Sequence, residues 1–187
     1  HQTLVDLLAI QQEIHPGIFA IMDGTTAGNG PGPRMMEPVV KNVILASADQ
    51  VAIDAVAASM MGFEPLEIDY IRLAHERGLG VGDVREIEIV GDDVGGGGWG
   101  FKVGYCSHSF LAWLAWYGPT SILQKVVLRT PLVAIPTLIG EIEQDYLYWP
   151  LKYRHVAARW RESTTWGHLF EQYQRQGVMA SEVVNSV

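Results

Sequence analysis

Three aspartates and one glycine-rich loop carry the residue types best suited to chemistry in this chain. Asp23 and Asp49 follow the ends of two expected strands, residues 18–22 and 39–47. In open α/β sheets ligands collect beyond the carboxyl ends of the strands, so parallel strands would bring both acids to one rim. With the carbonyl of Asn29 they form an oxygen donor set suited to a hard cation such as Mg²⁺ or Ca²⁺. Each acid also has a simpler role: Asp23 can open a turn, and Asp49 can cap the helix that begins at Gln50. Asp54 is the single charge between Gln50 and Met61, on a helix apolar almost all round. A buried carboxylate needs a partner or a proton, and either the amides of the glycine loop or a ligand site would supply it.

The loop GNGPGPR, residues 28–34, offers backbone amides to an anion, with Arg34 beside them. It is not a P-loop, because no Gly-Lys-Ser/Thr follows and no helix opens from it. Turn formation explains the same residues, since Gly, Asn and Pro favour turns. The rim therefore proposes a ligand set of Asp23, Gly28, Asn29, Gly30, Arg34 and Ser47, and a metal set of Asp23, Asp49 and Asp54. His15, His75, His108, His155 and His168 have no paired metal spacing. Ser107-His108-Ser109 beside Cys106 lacks a placed third group and oxyanion donors, so nucleophilic catalysis has little to stand on there.

The elements that must position these residues follow from the apolar pattern. Residues 3–14 read as a helix with Thr3 as its N-cap and Leu4, Leu7 and Leu8 on one face. His15-Pro16-Gly17 breaks it, and residues 18–22 form a short apolar run expected of a buried strand. Residues 25–38 are too rich in Gly and Pro for regular structure. The strand at 39–47 leads into a helix over 50–61 that stops at Gly62, and a second helix over 67–77 stops at Gly78. Residues 85–90 alternate strictly and read as a half-exposed strand. Two helices between two strands make a crossover, which favours a parallel pair.

Gly95–Gly98, four consecutive glycines, mark the best candidate for a boundary. This divides the chain into an α/β unit at 1–94 and a mainly helical, aromatic-rich extension at 95–187. The extension holds all six tryptophans, five of them, Trp113, Trp116, Trp149, Trp160 and Trp166, beyond its glycine-rich start. Its stretch FLAWLAWYGPTSILQKVVLRTPL joins aromatics to Lys125 and Arg129 without an acid, a pattern suited to a headgroup layer. Packing of the same side chains over the α/β core is the alternative.

The formal net charge of −8 is uneven: residues 1–94 hold 15 acids against 5 Lys/Arg, whereas 95–187 hold 6 against 8. The first part repels polyanions, and no basic run or recognisable module points to nucleic acid. One cysteine excludes an internal disulfide and an iron–sulfur cluster held by this chain alone, and it fits a reducing compartment, so the expected location is cytoplasmic. A start at His1 suggests a processed or truncated product. No stretch reaches the roughly 18 uninterrupted apolar residues that span a bilayer.

The succession FAIMDG, GNGPGP, NVILASADQVAIDAVAASMMG, IDYIRLAHERGLG and EIEIVG resembles the C-terminal half of the family catalogued as domain of unknown function 362. The likeness covers residues 4–91, and its most specific combination joins the Asp-Gly strand end, Gly-Asn-Gly-Pro and Ser-x-Asp-x-x-Ala-x-Asp. The resemblance implies an iron–sulfur-associated family, although this chain departs from it in having Cys106 alone. It also implies an N-terminal half that normally precedes this region, so that another chain or segment completes the domain.

The expected fold is therefore α/β, a mixed or mostly parallel sheet with packed helices, followed by the helical extension. Two functions follow. One is an enzyme part binding a small anion or a divalent cation at the strand ends, and the other is a binding or assembly domain. The second docks on a membrane surface or protein partner through the Trp/Tyr-rich region.

Overall fold

The computed structural model describes residues 1–15, 17–32, 35–92, 98–104, 129–131 and 134–184. Its elements are α1 (Gln2–Ile14), β1 (Ala20–Asn29), β2 (Glu37–Ser47), α2 (Gln50–Met61) and α3 (Asp69–Glu76), then α4 (Ala134–Ile142). A π-helical segment (Glu143–Tyr153), α5 (Arg154–Ser163) and α6 (Thr165–Val184) complete the order. The chain divides into two compact units, His1–Ala27 with Lys41–Lys102, and Gly28–Val40 with Val103–Val187.

The architecture is mixed α/β, but its sheet is not the expected one. Among the described residues it has two strands, β1 and β2, paired antiparallel. A short connection can only return the chain antiparallel, whereas a parallel pair needs a long crossover. Asp23-Gly24 does not end β1. A side chain on Gly24 would lie 3.0 Å from the Val43 carbonyl oxygen, so this glycine lets the backbones approach instead of turning the chain. The residues from Thr25 to Asn29 continue the strand instead of forming a loop.

The third strand expected at 85–90 is absent. Asp83 accepts the Arg85 amide at 3.0 Å and caps a 3-10 turn over Val84–Glu86. Its carboxylate also holds the Arg85 guanidinium, fixing the turn where alternation alone suggested extension. Strict alternation does not create a strand without a neighbour to pair with. Thr3 likewise lies inside α1, whose first turn has no side-chain cap.

Helices α1, α2 and α3 make the core of the first unit. Val5, Val51, Ala55, Ala58, Ile71 and Ala74 are buried together, with Leu8, Phe63 and Leu79 packed against them. The small alanines of α2 let its neighbours approach closely. Both α2 and α3 end as their glycines suggested. Gly62 is left-handed (φ 98°) and Phe63 N–H reaches back to the Ala58 carbonyl at 2.9 Å. Gly78 (φ 70°) and the bond from Leu79 N–H to the Ala74 carbonyl at 3.0 Å repeat that closure. Phe63 and Leu79 are thereby delivered into the core.

The second unit is largely helical. Tyr153 is buried against Met35 and donates its hydroxyl to the Met35 carbonyl at 2.6 Å. Pro150 sits within the π-helical segment. Proline removes an amide and crowds the preceding turn, and a wider turn relieves that crowding. Thr164 separates α5 from α6, its hydroxyl donating to the Trp160 carbonyl at 2.7 Å and accepting the Gly167 amide at 2.9 Å. The stretch 105–128, with Cys106, His108 and most of the apolar 110–132 segment, lies outside the described residues, as do Arg34 and Gly95–97.

Candidate functional site

The end of β2 and the start of α2 form a tight polar knot. Ser47 Oγ accepts the Asp49 amide at 2.9 Å. Asp49 Oδ1 accepts the Ala52 amide at 3.0 Å, the cap expected of it. Its other oxygen, Oδ2, accepts the amide of Val81 at 2.8 Å, thirty-two residues away. Both carboxylate oxygens are thus engaged by backbone amides, and Gly80 permits the approach. A β-carbon on Gly80 would collide with Asp49 Oδ1 and come within 2.7 Å of Val51 Cγ2.

Asp23 is exposed on β1 and accepts the Thr25 amide at 2.8 Å. That amide, then the Thr25 hydroxyl, holds its carboxyl below the usual value. Gly28 serves packing, since a β-carbon there would lie 2.6 Å from the Met36 sulfur. Gly30 (φ 103°) makes an isolated parallel bridge with Val103, and Met35 N–H closes a turn onto the Pro31 carbonyl at 3.1 Å. Asn29 ends β1 and has its own partner. Among the described residues no three His, Cys, Asp or Glu side chains gather as a metal site, and Asp23, Asp49 and Asp54 form no such group. An iron–sulfur cluster does not fit a donor set of one cysteine.

Asp54 faces a different setting. A cleft of about 410 Å³ opens between α1, α2 and α3, with Leu4 and Leu8 of α1, Val51 of α2 and Ile71 of α3 on its walls. Asp54 and Tyr70 supply its acidic and phenolic groups, and Gln11 and Gln50 its amides. The Tyr70 hydroxyl is close enough to the Asp54 carboxylate to ease its ionised form. The Asp54 side chain keeps contact with solvent, yet the apolar walls crowd its carboxyl. Desolvation raises its pKa, and the bond from Tyr70 offsets part of that rise. Tyr70 is pushed up to about 12, first by burial and then by the charge and hydrogen bond of Asp54. Asp54 is therefore not the deeply buried charge that its helix suggested.

Sequence reasoning missed Tyr70 and the Gly80-Val81 backbone. Tyr70 carries a signal only in retrospect, as an amphipathic ring in the first turn of α3. Gly80 is one of three glycines in GLGVG, a pattern that marked a loop without showing which glycine was crowded.

A second surface distinguishes the helical region. Residues 146–161 contain Lys152, Arg154, Arg159 and Arg161 and no acid. Tyr146 (75% exposed), Leu147, Trp149 (49%) and Leu151 (74%) are uncovered within it. Lys152 pairs with Glu37 at 2.9 Å, while Arg154, Arg159 and Arg161 are exposed. Among the described residues no helix is long and apolar enough to cross a membrane.

Residues 1–59 match the family model described as domain of unknown function (DUF362). No curated protein and no solved structure matches the chain.

Proposed function

With residues 1–59 belonging to the domain of unknown function 362 family, whose name carries no reaction, we propose that the chain is a docking domain. Its helical region, on this reading, seats on an anionic membrane surface. The observation that carries the reading is the acid-free span 146–161, which sets four cations beside exposed Tyr146, Leu147, Trp149 and Leu151. Tyrosine and tryptophan favour the boundary between headgroups and acyl chains. Each cation near an anionic leaflet adds about 1 kcal/mol, and the attraction is screened by salt. Lys152 contributes less because Glu37 already pairs with it.

Sedimentation with vesicles tests this. Binding to vesicles containing phosphatidylserine, weaker binding to phosphatidylcholine alone, release in high salt and loss in Leu151→Glu are expected. Protein that stays in the supernatant with every vesicle, or that binds both compositions equally, overturns it.

A second reading rests on the β-ribbon, which leaves Ile21 (69% exposed) and Ile44 (67%) uncovered, with Phe19 (67%) just before β1. Two strands alone are marginal in water, so a strand-bearing chain or segment would complete the sheet. Native mass spectrometry that finds the purified chain monomeric at all concentrations, with no added chain bound, counts against it. A small anion or divalent cation at the strand ends has less support, because amides occupy both oxygens of Asp49 and one of Asp23.

A further inference from the structure

We propose that the cleft between α1, α2 and α3 binds a small molecule with an apolar body and one protonated amine, the ammonium group lying against Asp54. The cleft, at about 410 Å³, has the size of a small-ligand site, within the roughly 300–1,000 Å³ common for such pockets. It has the composition of one as well. Leucine, valine, isoleucine and alanine side chains form the walls, and the few polar groups are concentrated at Asp54, Tyr70, Gln11 and Gln50.

The charge balance selects the ligand class. Among the described residues no Lys, Arg or His lines the cleft, so none of them gives the Asp54 carboxylate a cationic partner there. The His1 imidazole stacks on the Tyr70 ring at 6.4 Å and approaches Asp69 at 3.9 Å instead. An anionic ligand would meet uncompensated repulsion. A metal ion would find one carboxylate where it needs several oxygens. A neutral apolar molecule would fill the walls while pushing water from a carboxylate that nothing replaces. An ammonium group supplies the missing charge and hydrogen-bond donors together, and its pairing is strongest where the surroundings are least polar.

Two of the three other polar side chains refine the geometry. Tyr70 lines the cleft beside Asp54 and eases the ionised form of its carboxylate, which keeps acceptor oxygens for the ligand. Gln50 is already turned away, its amide nitrogen donating to the Ala48 carbonyl at 3.1 Å. Asp54 is thus the charged contact, and Tyr70 is a positioning residue.

Calorimetry on the full chain, without vesicles, tests the assignment. Phenethylamine, phenethyl alcohol and phenylacetate share a ring and differ in charge. Phenethylamine should bind at least about tenfold more tightly than the alcohol, a difference of about 1.4 kcal/mol, and phenylacetate should not bind. Asp54→Asn should abolish the preference for the amine while the circular dichroism spectrum is kept. Ala74→Leu, which crowds the wall, should weaken amine and alcohol alike. Equal affinity for the three probes, no binding of phenethylamine at millimolar concentration, or an unchanged preference in Asp54→Asn overturns the proposal. The ranking of the probes on the unaltered chain decides the matter even if a variant fails to fold.

Discussion

Asp49 accepts the Val81 amide at 2.8 Å through the carboxylate oxygen that capping α2 leaves free. One side chain therefore fixes the start of a helix and ties a loop beyond α3 to it. Losing a helix cap costs about 1 kcal/mol, and stranding a half-buried amide costs about 1 more. Asp49→Ala should lower stability by about 2 kcal/mol in urea unfolding. Asp49→Asn keeps one acceptor oxygen and should fall between alanine and the parent. An asparagine variant as stable as the parent would show that the second bond contributes nothing.

Gly80 makes that bond sterically feasible, and its role contrasts with that of Gly78 two residues earlier. Val51, only 4% exposed, has no room to yield to a β-carbon on Gly80. Gly78 faces open space but is left-handed. Gly80→Ala should cost about 1–3 kcal/mol by overpacking, and Gly78→Ala about 1 kcal/mol by backbone strain. Measured unfolding free energies in the reverse order would place the crowding elsewhere.

The helices of the first unit were legible because their signals are local. Asp49 before an apolar run and a glycine after it announced α2, and Gly78 announced the end of α3. The same local reading misjudged β1 and the third strand. Gly24 and Thr25–Asn29 look like a turn until Val43 lies beside them, and residues 85–90 alternate correctly but find no strand to pair with among the described residues. Pairing is decided by residues far apart in sequence, and no local pattern encodes it. The site was legible in the same measure. Asp49 as a cap depends on its own helix, whereas its bond to Val81 and the meeting of Asp54 with Tyr70 depend on how helices pack.

Tyr153 in the second unit offers a clean deletion of one hydrogen bond. Its hydroxyl reaches the Met35 carbonyl at 2.6 Å in buried surroundings. Tyr153→Phe keeps the ring and its tilted contact with Tyr148 at 6.4 Å while leaving that carbonyl without its donor. A loss of about 1–2 kcal/mol is expected. Hydrogen exchange should show faster protection loss around the π-helical segment than around α2. Equal exchange in variant and parent would mean that water replaces the hydroxyl at no cost.

The pair of Asp54 and Tyr70 should be visible in the dependence of stability on pH. Desolvation by the cleft raises the Asp54 pKa above its ordinary 3.8, so the folded chain holds this proton more tightly than the unfolded chain. That preference favours folding below the unfolded pKa. It is lost as pH rises from there through the folded value, and above that window the ionised carboxylate opposes folding. Asp54→Asn removes the titration while keeping an acceptor for Tyr70. The variant should therefore gain stability relative to the parent at pH 7 and lose that gain by pH 3, as read from melting temperatures. Tyr70→Phe should act in the other direction at pH 7, because it removes the bond that eases the ionised form. At the alkaline end, Tyr70 with a pKa of about 12 binds its proton more tightly folded than unfolded. The parent should then lose stability between about pH 10 and 12, and Tyr70→Phe should lose less. A difference between Asp54→Asn and the parent that does not change with pH would show that Asp54 ionises in the cleft as freely as it does in water.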